Sequence, residues 1–237
     1  MKPKHRDLLD NRPNHPEIPR DPLPGLPYPD ICAHLPKLPE EVFIVGSGPN
    51  GRDAFKTIPE RACCIGLNSA VLLWRKWDYW FAFDHRIPDS DWWVDAVRVK
   101  KAVKIFGARL ANRIWSNIDV FPRVEPDYFY RYDPGMSGAS FVPGQPLLIP
   151  GVLRGLTVAG CALQFAHYGG AKQVTLCGID MMGQQHIDGH VNIDKVYLGE
   201  WPWAKNLSKL CAHFNSIGMK VRTISKTALT EVEFCTL

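Results

Sequence analysis

The groups with the most chemical potential in this chain are small and polar residues placed just after apolar runs. Gly46-Ser47-Gly48-Pro49-Asn50-Gly51 follows Val42-Phe43-Ile44-Val45. Glycine lets backbone N–H groups approach an anion closely, so this turn is a candidate phosphate cradle, in which a side chain at Gly48 would fill the space of the phosphate. It is not a P-loop, since no Gly-Lys-Ser/Thr follows. The third glycine also falls one place early for the Gly-x-Gly-x-x-Gly dinucleotide fingerprint, and Pro49 removes a backbone donor. The competing reading is a tight turn without a ligand.

Further polar groups follow other apolar runs: Asn68 after Cys63–Leu67, Asp84 after Trp77–Phe83, Asp180 after Gln173–Cys177, and Ser225 with Thr227 after Lys220–Ile224. An asparagine offers both donor and acceptor to a base or ribose, whereas the plainer role for Asn68 is to cap the next helix. Asp84 suits either a solvated loop or a Mg2+ ion bridging donor phosphates. Asp180, His186, Asp188 and His190 form the densest group of titratable residues. A helical His-x-x-x-His pair would suit zinc, but Gly183 and Gly189 oppose a helix there. The functional reading is a loop histidine acting as general base on an acceptor hydroxyl; the plain one is an exposed loop histidine. Trp92-Trp93 and Trp201-Pro202-Trp203 offer faces for stacking on a sugar or base, or else belong to the core.

These groups need strands to hold them. Val42–Val45 is a continuous apolar run ended by glycine, as expected of a strand buried on both faces of a parallel sheet. Further strands are predicted over Cys63–Leu67, Trp77–Phe83, Val103–Phe106, Gln173–Cys177 and Lys220–Ile224. Helices are predicted over Arg52–Ile58, Leu156–Tyr168 and Trp203–Ile217, the last two closed by Gly169-Gly170 and Gly218. Strands alternating with crossovers imply an α/β fold with a doubly wound, mostly parallel, Rossmann-like sheet. Ligands of such sheets gather at the carboxyl ends of the strands, near a topological switch point, where the residues named above stand.

Residues 40–237 read as this one domain, with the patternless stretch from Asn112 to Pro150 as an insertion or lid over the site. Residues 1–39 hold ten of the chain's 20 prolines. Proline fixes φ and lacks an N–H, so the stretch reads as an extended arm. Its apolar residues Leu23, Leu26, Tyr28, Ile31 and Leu35 favour docking on the domain or on a second subunit of a homo-oligomer; the alternative is disorder.

Composition narrows the function classes. Of 237 residues, 46% are hydrophobic and 22% charged, which is globular. A net charge of +4 without a dense Lys/Arg stripe tolerates phosphate ligands but argues against a nucleic-acid partner. Seven scattered cysteines with no Cys-x-x-Cys pair fit a reducing cytoplasm without a disulfide framework. No apolar stretch follows the basic start, and none approaches the roughly 20 residues of a bilayer span, so neither secretion nor membrane insertion is expected.

Two related groups resemble this chain over residues 41–85 and 150–230. One is the bacterial sialyltransferases with a single Rossmann-like domain that use CMP-sialate. The other is the pterin pyrophosphokinase-like group, which includes flagellin-modifying nonulosonate transferases and an archaeal hydroxymethyl-dihydropterin pyrophosphokinase. The resemblance lies in the Gly46–Asn50 turn, in Asn68 ending the second strand, and in a second block. That block runs from Thr157-Val158-Ala159 through Ala166, Gly169, Lys172, Val174, Leu176 and Gly178 to Asp180. Asp188-Gly189-His190 and the closing Val221–Thr227 strand and turn extend it. The chain departs at Val158, where the sialyltransferases carry a phosphate-binding serine, and at their paired tyrosines, for which only Tyr197 stands nearby.

The resemblance implies a transferase with a nucleotide-activated donor, first a glycosyltransferase using a CMP- or related nucleotide sugar. Gly46, Ser47, Gly48, Pro49 and Asn50 would then hold the donor phosphate, Asn68, Asp84 and Asp180 would position the donor, and N–H and hydroxyl groups near Thr157, Ser225 and Thr227 would steady the leaving nucleotide. His190, or else His186 or Asp188, would take the acceptor's proton. The second expectation is a pyrophosphokinase moving diphosphate from ATP, with Mg2+ on Asp84 and Asp180. The third is a non-catalytic nucleotide-binding or assembly module. The acceptor is left open.

Overall fold

In the run Glu41–Val45 alternate residues face opposite sides, yet Val42 to Val45 are all buried, so both faces of this strand must be covered. The computed structural model of the chain describes residues 26–73, 76–96, 98–117, 124–131, 153, 157–181 and 202–237. Its strands are β1 (Glu41–Val45), β2 (Cys63–Leu67), β3 (Tyr79–Ala82), β4 (Val103–Gly107), β5 (Tyr128–Tyr130), β6 (Gln173–Cys177), β7 (Lys220–Thr223) and β8 (Glu233–Phe234). They form one sheet in the order β5-β4-β3-β2-β1-β6-β7-β8, and every pairing is parallel. The expected α/β, doubly wound, Rossmann-like architecture is present.

The chain steps outward from β1 to β5, then returns to add β6 on the other side of β1. The switch point therefore lies between β1 and β6. Reversing direction moves the crossovers to the other face. Helices α1 (Gly51–Ala54), α2 (Trp93–Ala96) and α3 (Ala108–Ser116) belong to the β1-to-β5 half, whereas α4 (Val158–Tyr168) and α5 (Pro202–Ser216) serve the return.

The strand alternation feeds two cores. Val42, Ile44, Ile65, Leu67, Phe81, Ile105, Val174 and Leu176 point to the α4 and α5 side. Phe43, Val45, Cys64, Trp80, Ala82, Phe106 and Cys177 point the other way, against Ala70, Trp93, Leu110 and Ile114. Every residue of α4 from Ala159 to Ala166 is buried. That agrees with a helix apolar all round and wedged between the sheet and a neighbour.

Several boundaries differ from expectation. The segment Arg52–Ile58 is one α-turn, α1, followed by a 3-10 turn at Phe55–Thr57. Tyr128–Tyr130, inside the patternless stretch, is an edge strand paired with β4. Trp93 is a core residue, 5.8 Å from Trp80 and 6.2 Å from Phe106 between ring centres, and so offers no face to a sugar. Within the arm, Ile31 and Leu38 are buried, Asp30 bridges to Phe129, and the Leu38 N–H donates to the Gly169 carbonyl at 2.8 Å. Among the described residues no helix is long and apolar enough to cross a membrane.

Candidate functional site

At the switch point two glycine turns meet, one after β1 and one after β6. The Gly46 N–H donates to the Cys177 carbonyl at 2.8 Å and the Gly48 N–H to the Gly178 carbonyl at 2.9 Å. The Asn50 N–H donates to Oδ2 of Asp180 at 2.8 Å, and the Gly51 N–H closes the turn on the Gly48 carbonyl at 3.0 Å. A Cβ on Gly46, Gly48 or Gly51 would come within 2.5 Å of Ile179, Asp180 or Gly178 respectively. The glycines are therefore required because one chain segment crosses another at backbone distance.

This corrects the expectation that the space beside Gly48 belongs to a phosphate. That space holds the Asp180 side chain, and the amides of Gly46, Gly48, Asn50 and Gly51 have partners within the protein. The anion already held by the turn is a carboxylate.

The second turn is fixed from β7. Oγ of Ser225 accepts from the Gly178 N–H at 2.8 Å, and the Thr227 hydroxyl donates to the Ile179 carbonyl at 2.6 Å. The Ala228 N–H donates to the Asp180 carbonyl at 2.8 Å. Ser225 and Thr227 thus position Asp180, and their hydroxyls are directed at the turn itself. Gly178 and Met181 take φ values of 66° and 53°, so Asp180 sits between two residues in the left-handed region.

Asp180 is 4% exposed, and its Oδ1 is buried without a hydrogen-bond partner among the described residues. Burial pushes its carboxyl above the ordinary range, against the opposing Asn50 N–H. Asn68, one residue past β2, has φ 47° and a buried Oδ1 that also lacks a partner. Its side chain makes no cap, which removes the plainer role proposed for it. Val45 pairs with Gly66 and Leu67 with Phe81, so continuing the ladder sets Asn68 level with Ser47 and Ala82 on the strands to either side. The floor of the crevice thus presents acceptor oxygens, a state that costs free energy unless a donor group completes it.

On the α4 side, Thr157 is the N-cap of the helix, its Oγ1 accepting from the Gly160 N–H at 3.1 Å. Since α4 runs back to the amino end of β6, its N-terminus lies at the carboxyl edge of the sheet, where its dipole favours an anion.

Asp84 stands further along the same edge. The Arg86 guanidinium grips its carboxylate through Nε at 3.0 and 3.1 Å and through one terminal nitrogen at 2.5 Å. Burial alone would raise this carboxyl, but the bonds from Arg86 prevail and hold it below the ordinary range. The strand ends bearing Asp84 and Asp180 are separated by three strand spacings, roughly 14 Å. Magnesium binds its ligands at about 2 Å, so these two carboxylates do not fit a shared ion. The Mg2+ site expected of a pyrophosphokinase is corrected on that ground. No group of three or more metal-ligating side chains occurs among the described residues.

His186, Asp188 and His190 lie outside the described residues, as do Tyr197 and Trp201. One group the sequence reading passed over as a loop is His85. Its Nδ1 lies 3.6 Å from Asp84, and its carbonyl accepts from Arg113 at 2.7 Å. The tripeptide Asp84-His85-Arg86 at a strand end was the available signal.

No protein-family model matches the chain, and no curated protein sequence does. Solved structures do match. A Maf glycosyltransferase from Magnetospirillum magneticum AMB-1 superposes with a TM-score of 0.56 at 19% identity over 85% of this chain and 34% of that one. This chain therefore spans about a third of the length of that protein. The sialyltransferase CstII from Campylobacter jejuni, in complex with cytidine-5'-monophosphate, superposes with a TM-score of 0.49 at 13% identity over 83% of this chain and 85% of its own. CstII with CMP-3FNeuAc gives 0.40 at 13% identity over 83% and 88%. The fold likeness rests on the first of these: the chain shares the fold of the part of that protein it covers.

Proposed function

We propose that the chain is a glycosyltransferase whose nucleotide-sugar donor, a CMP-sugar or a close analogue, binds at the β1/β6 switch point. The observation that carries this reading is the pair of buried oxygens without a partner among the described residues, Asn68 Oδ1 and Asp180 Oδ1, at the strand ends where such a fold takes its ligand. Acceptor oxygens call for groups that donate, and a nucleoside has them in its ribose hydroxyls and in the exocyclic amine of cytosine.

A carboxylate at the floor repels phosphate, so the nucleoside belongs over Asp180 and the phosphate towards the N-terminus of α4 and Thr157. There the helix dipole and the Thr157 hydroxyl would stabilise the charge that grows on the leaving nucleotide. Ser47 and the Asn50 side chain border the same floor. Asp84, held by Arg86, would position the sugar. His190 would take the proton of the acceptor hydroxyl as the glycosidic bond forms, with His186 or Asp188 as the substitute base.

A thermal-shift panel of CMP, CDP, UDP, GDP and ATP, each with and without Mg2+, tests the reading. Stabilisation by CMP or a related nucleotide without metal supports it. Stabilisation by ATP only with Mg2+ would favour phosphoryl chemistry, and no shift with any of them a non-catalytic module. At ligand about a thousandfold above Kd the expected gain is about 4 kcal/mol.

A further inference from the structure

The carboxyl ends of β3 and β4 carry more positive charge than the fold itself uses. Arg86 is paired with Asp84, and Arg113 with Asp89 through two bonds of 2.8 and 3.0 Å. Ala82 pairs with Phe106, so continuing the register sets Arg109 level with His85, whose imidazole is pushed below its ordinary range first by burial and then by the guanidiniums of Arg86, Arg113 and Arg109. Among the described residues, the guanidiniums of Arg86, Arg109 and Arg113 stand here with the carboxylates of Asp84 and Asp89. Among the described residues the Arg109 side chain makes neither hydrogen bond nor ion pair.

The surplus is also placed where helix energetics disfavour it. Arg109 lies in the first turn of α3, which has no acidic residue and no side-chain cap at Gly107. Arg113 follows at i+4, a spacing at which like charges destabilise a helix. His85 beside them is half-exposed and reachable, with its main chain tied to Arg113. An anion held by Arg109 and His85 would relieve both conflicts, because a guanidinium fork matches a carboxylate or phosphate bidentately.

We infer that Arg109 and His85, buttressed by Arg86 and Arg113, form a subsite for an anionic group of the substrate, a carboxylate or phosphate lying beyond the nucleotide. This rests on the reading that the carboxyl edge of the sheet holds the substrate. The anion has two sources: the carboxylate of a sialate-type sugar on the donor, or a phosphate on the acceptor.

The test follows the His85 imidazole by NMR, its resonance assigned by loss in His85→Gln, while N-acetylneuraminate and, separately, inorganic phosphate are titrated into the full chain. A saturable His85 shift is expected with at least one of them, weakened about tenfold or more in Arg109→Gln. Arg109 is half-buried and lies outside both cores, so this variant should stay close to the wild-type melting temperature and keep its affinity for CMP. A preference for N-acetylneuraminate assigns the sugar carboxylate, and a preference for phosphate the acceptor.

No His85 response to either anion, or an equal response in a folded Arg109→Gln, would overturn the inference. So would an equal loss of CMP affinity in that variant, which would assign the cluster to the nucleotide. If the chain binds no nucleotide yet His85 still responds through Arg109, the donor reading fails and this subsite stands.

Discussion

Replacing Gly48 by alanine tests the geometry of the switch point without any ligand. The new Cβ would lie 2.5 Å from Cγ of Asp180 and 2.6 Å from the Gly178 carbonyl oxygen, about 0.9 Å short of ordinary contact at 3.4 Å. Asp180 can swing aside, but it then abandons the Asn50 N–H at 2.8 Å, a bond to a charged group worth about 1.5–3 kcal/mol. The Gly178 oxygen is backbone and cannot rotate away, so the turn must also retreat, at about 1–3 kcal/mol for overpacking.

The sum is about 2.5–6 kcal/mol. For a chain of this length each kcal/mol lowers the melting temperature by about 2–4 °C, so the drop should be roughly 5–24 °C. Gly170→Ala is the control. Its φ is +91° but nothing lies within 4 Å of the added carbon, so only the left-handed backbone is charged for, about 1–2 kcal/mol. Thermal unfolding of the ligand-free proteins by circular dichroism decides the matter. A Gly48→Ala protein that melts with the wild type would refute the crossing of the two turns.

Other outcomes follow from the same site. The folded Asp180 carboxyl lies above its unfolded value of about 3.9, so its stabilising contribution is complete below that value and is lost as pH rises through the folded pKa. Asp180→Asn should remove this limb from a plot of urea midpoint against pH, and an unchanged slope would count against a strained carboxylate. Asn68→Gly accommodates φ 47° without a side chain, so it should keep or raise the melting temperature while weakening nucleotide binding; a loss of stability with unchanged affinity would contradict the assignment. His190→Ala should retain the nucleotide-induced thermal shift and lose about 10²–10⁴-fold in transfer rate, and full activity would move the role to His186 or Asp188.

The central strands were legible because burial on both faces leaves an unbroken apolar run, as in Val42–Val45 and Val174–Cys177. The edge strands were not. Tyr128–Tyr130 and Glu233–Phe234 have three and two residues, too few for a period, and they exist through pairing with β4 and β7. The glycine turn left two readings open, a phosphate cradle and a tight turn without a ligand, because a glycine that admits a ligand and one that admits another chain segment look alike in sequence. The segment it admits ends in Asp180, 130 residues after Asn50. Ser225 and Thr227 likewise stood in the right place, but only their contacts show hydroxyls spent on the Gly178–Asp180 turn. Asn68 and Asp180, read as strand-end polar groups, gain force from the structure because each keeps a buried oxygen without a donor among the described residues.

The most direct test of the donor site is a calorimetric titration of CMP, without added metal, into the wild type, Asn68→Gly and Asp180→Asn. The account predicts saturable one-site binding in the wild type and affinity lower by about tenfold or more in both variants, since each loses or weakens an acceptor worth about 1.5 kcal/mol. Equal CMP affinity in all three folded proteins, or binding of ATP with Mg2+ and none of CMP, would contradict it.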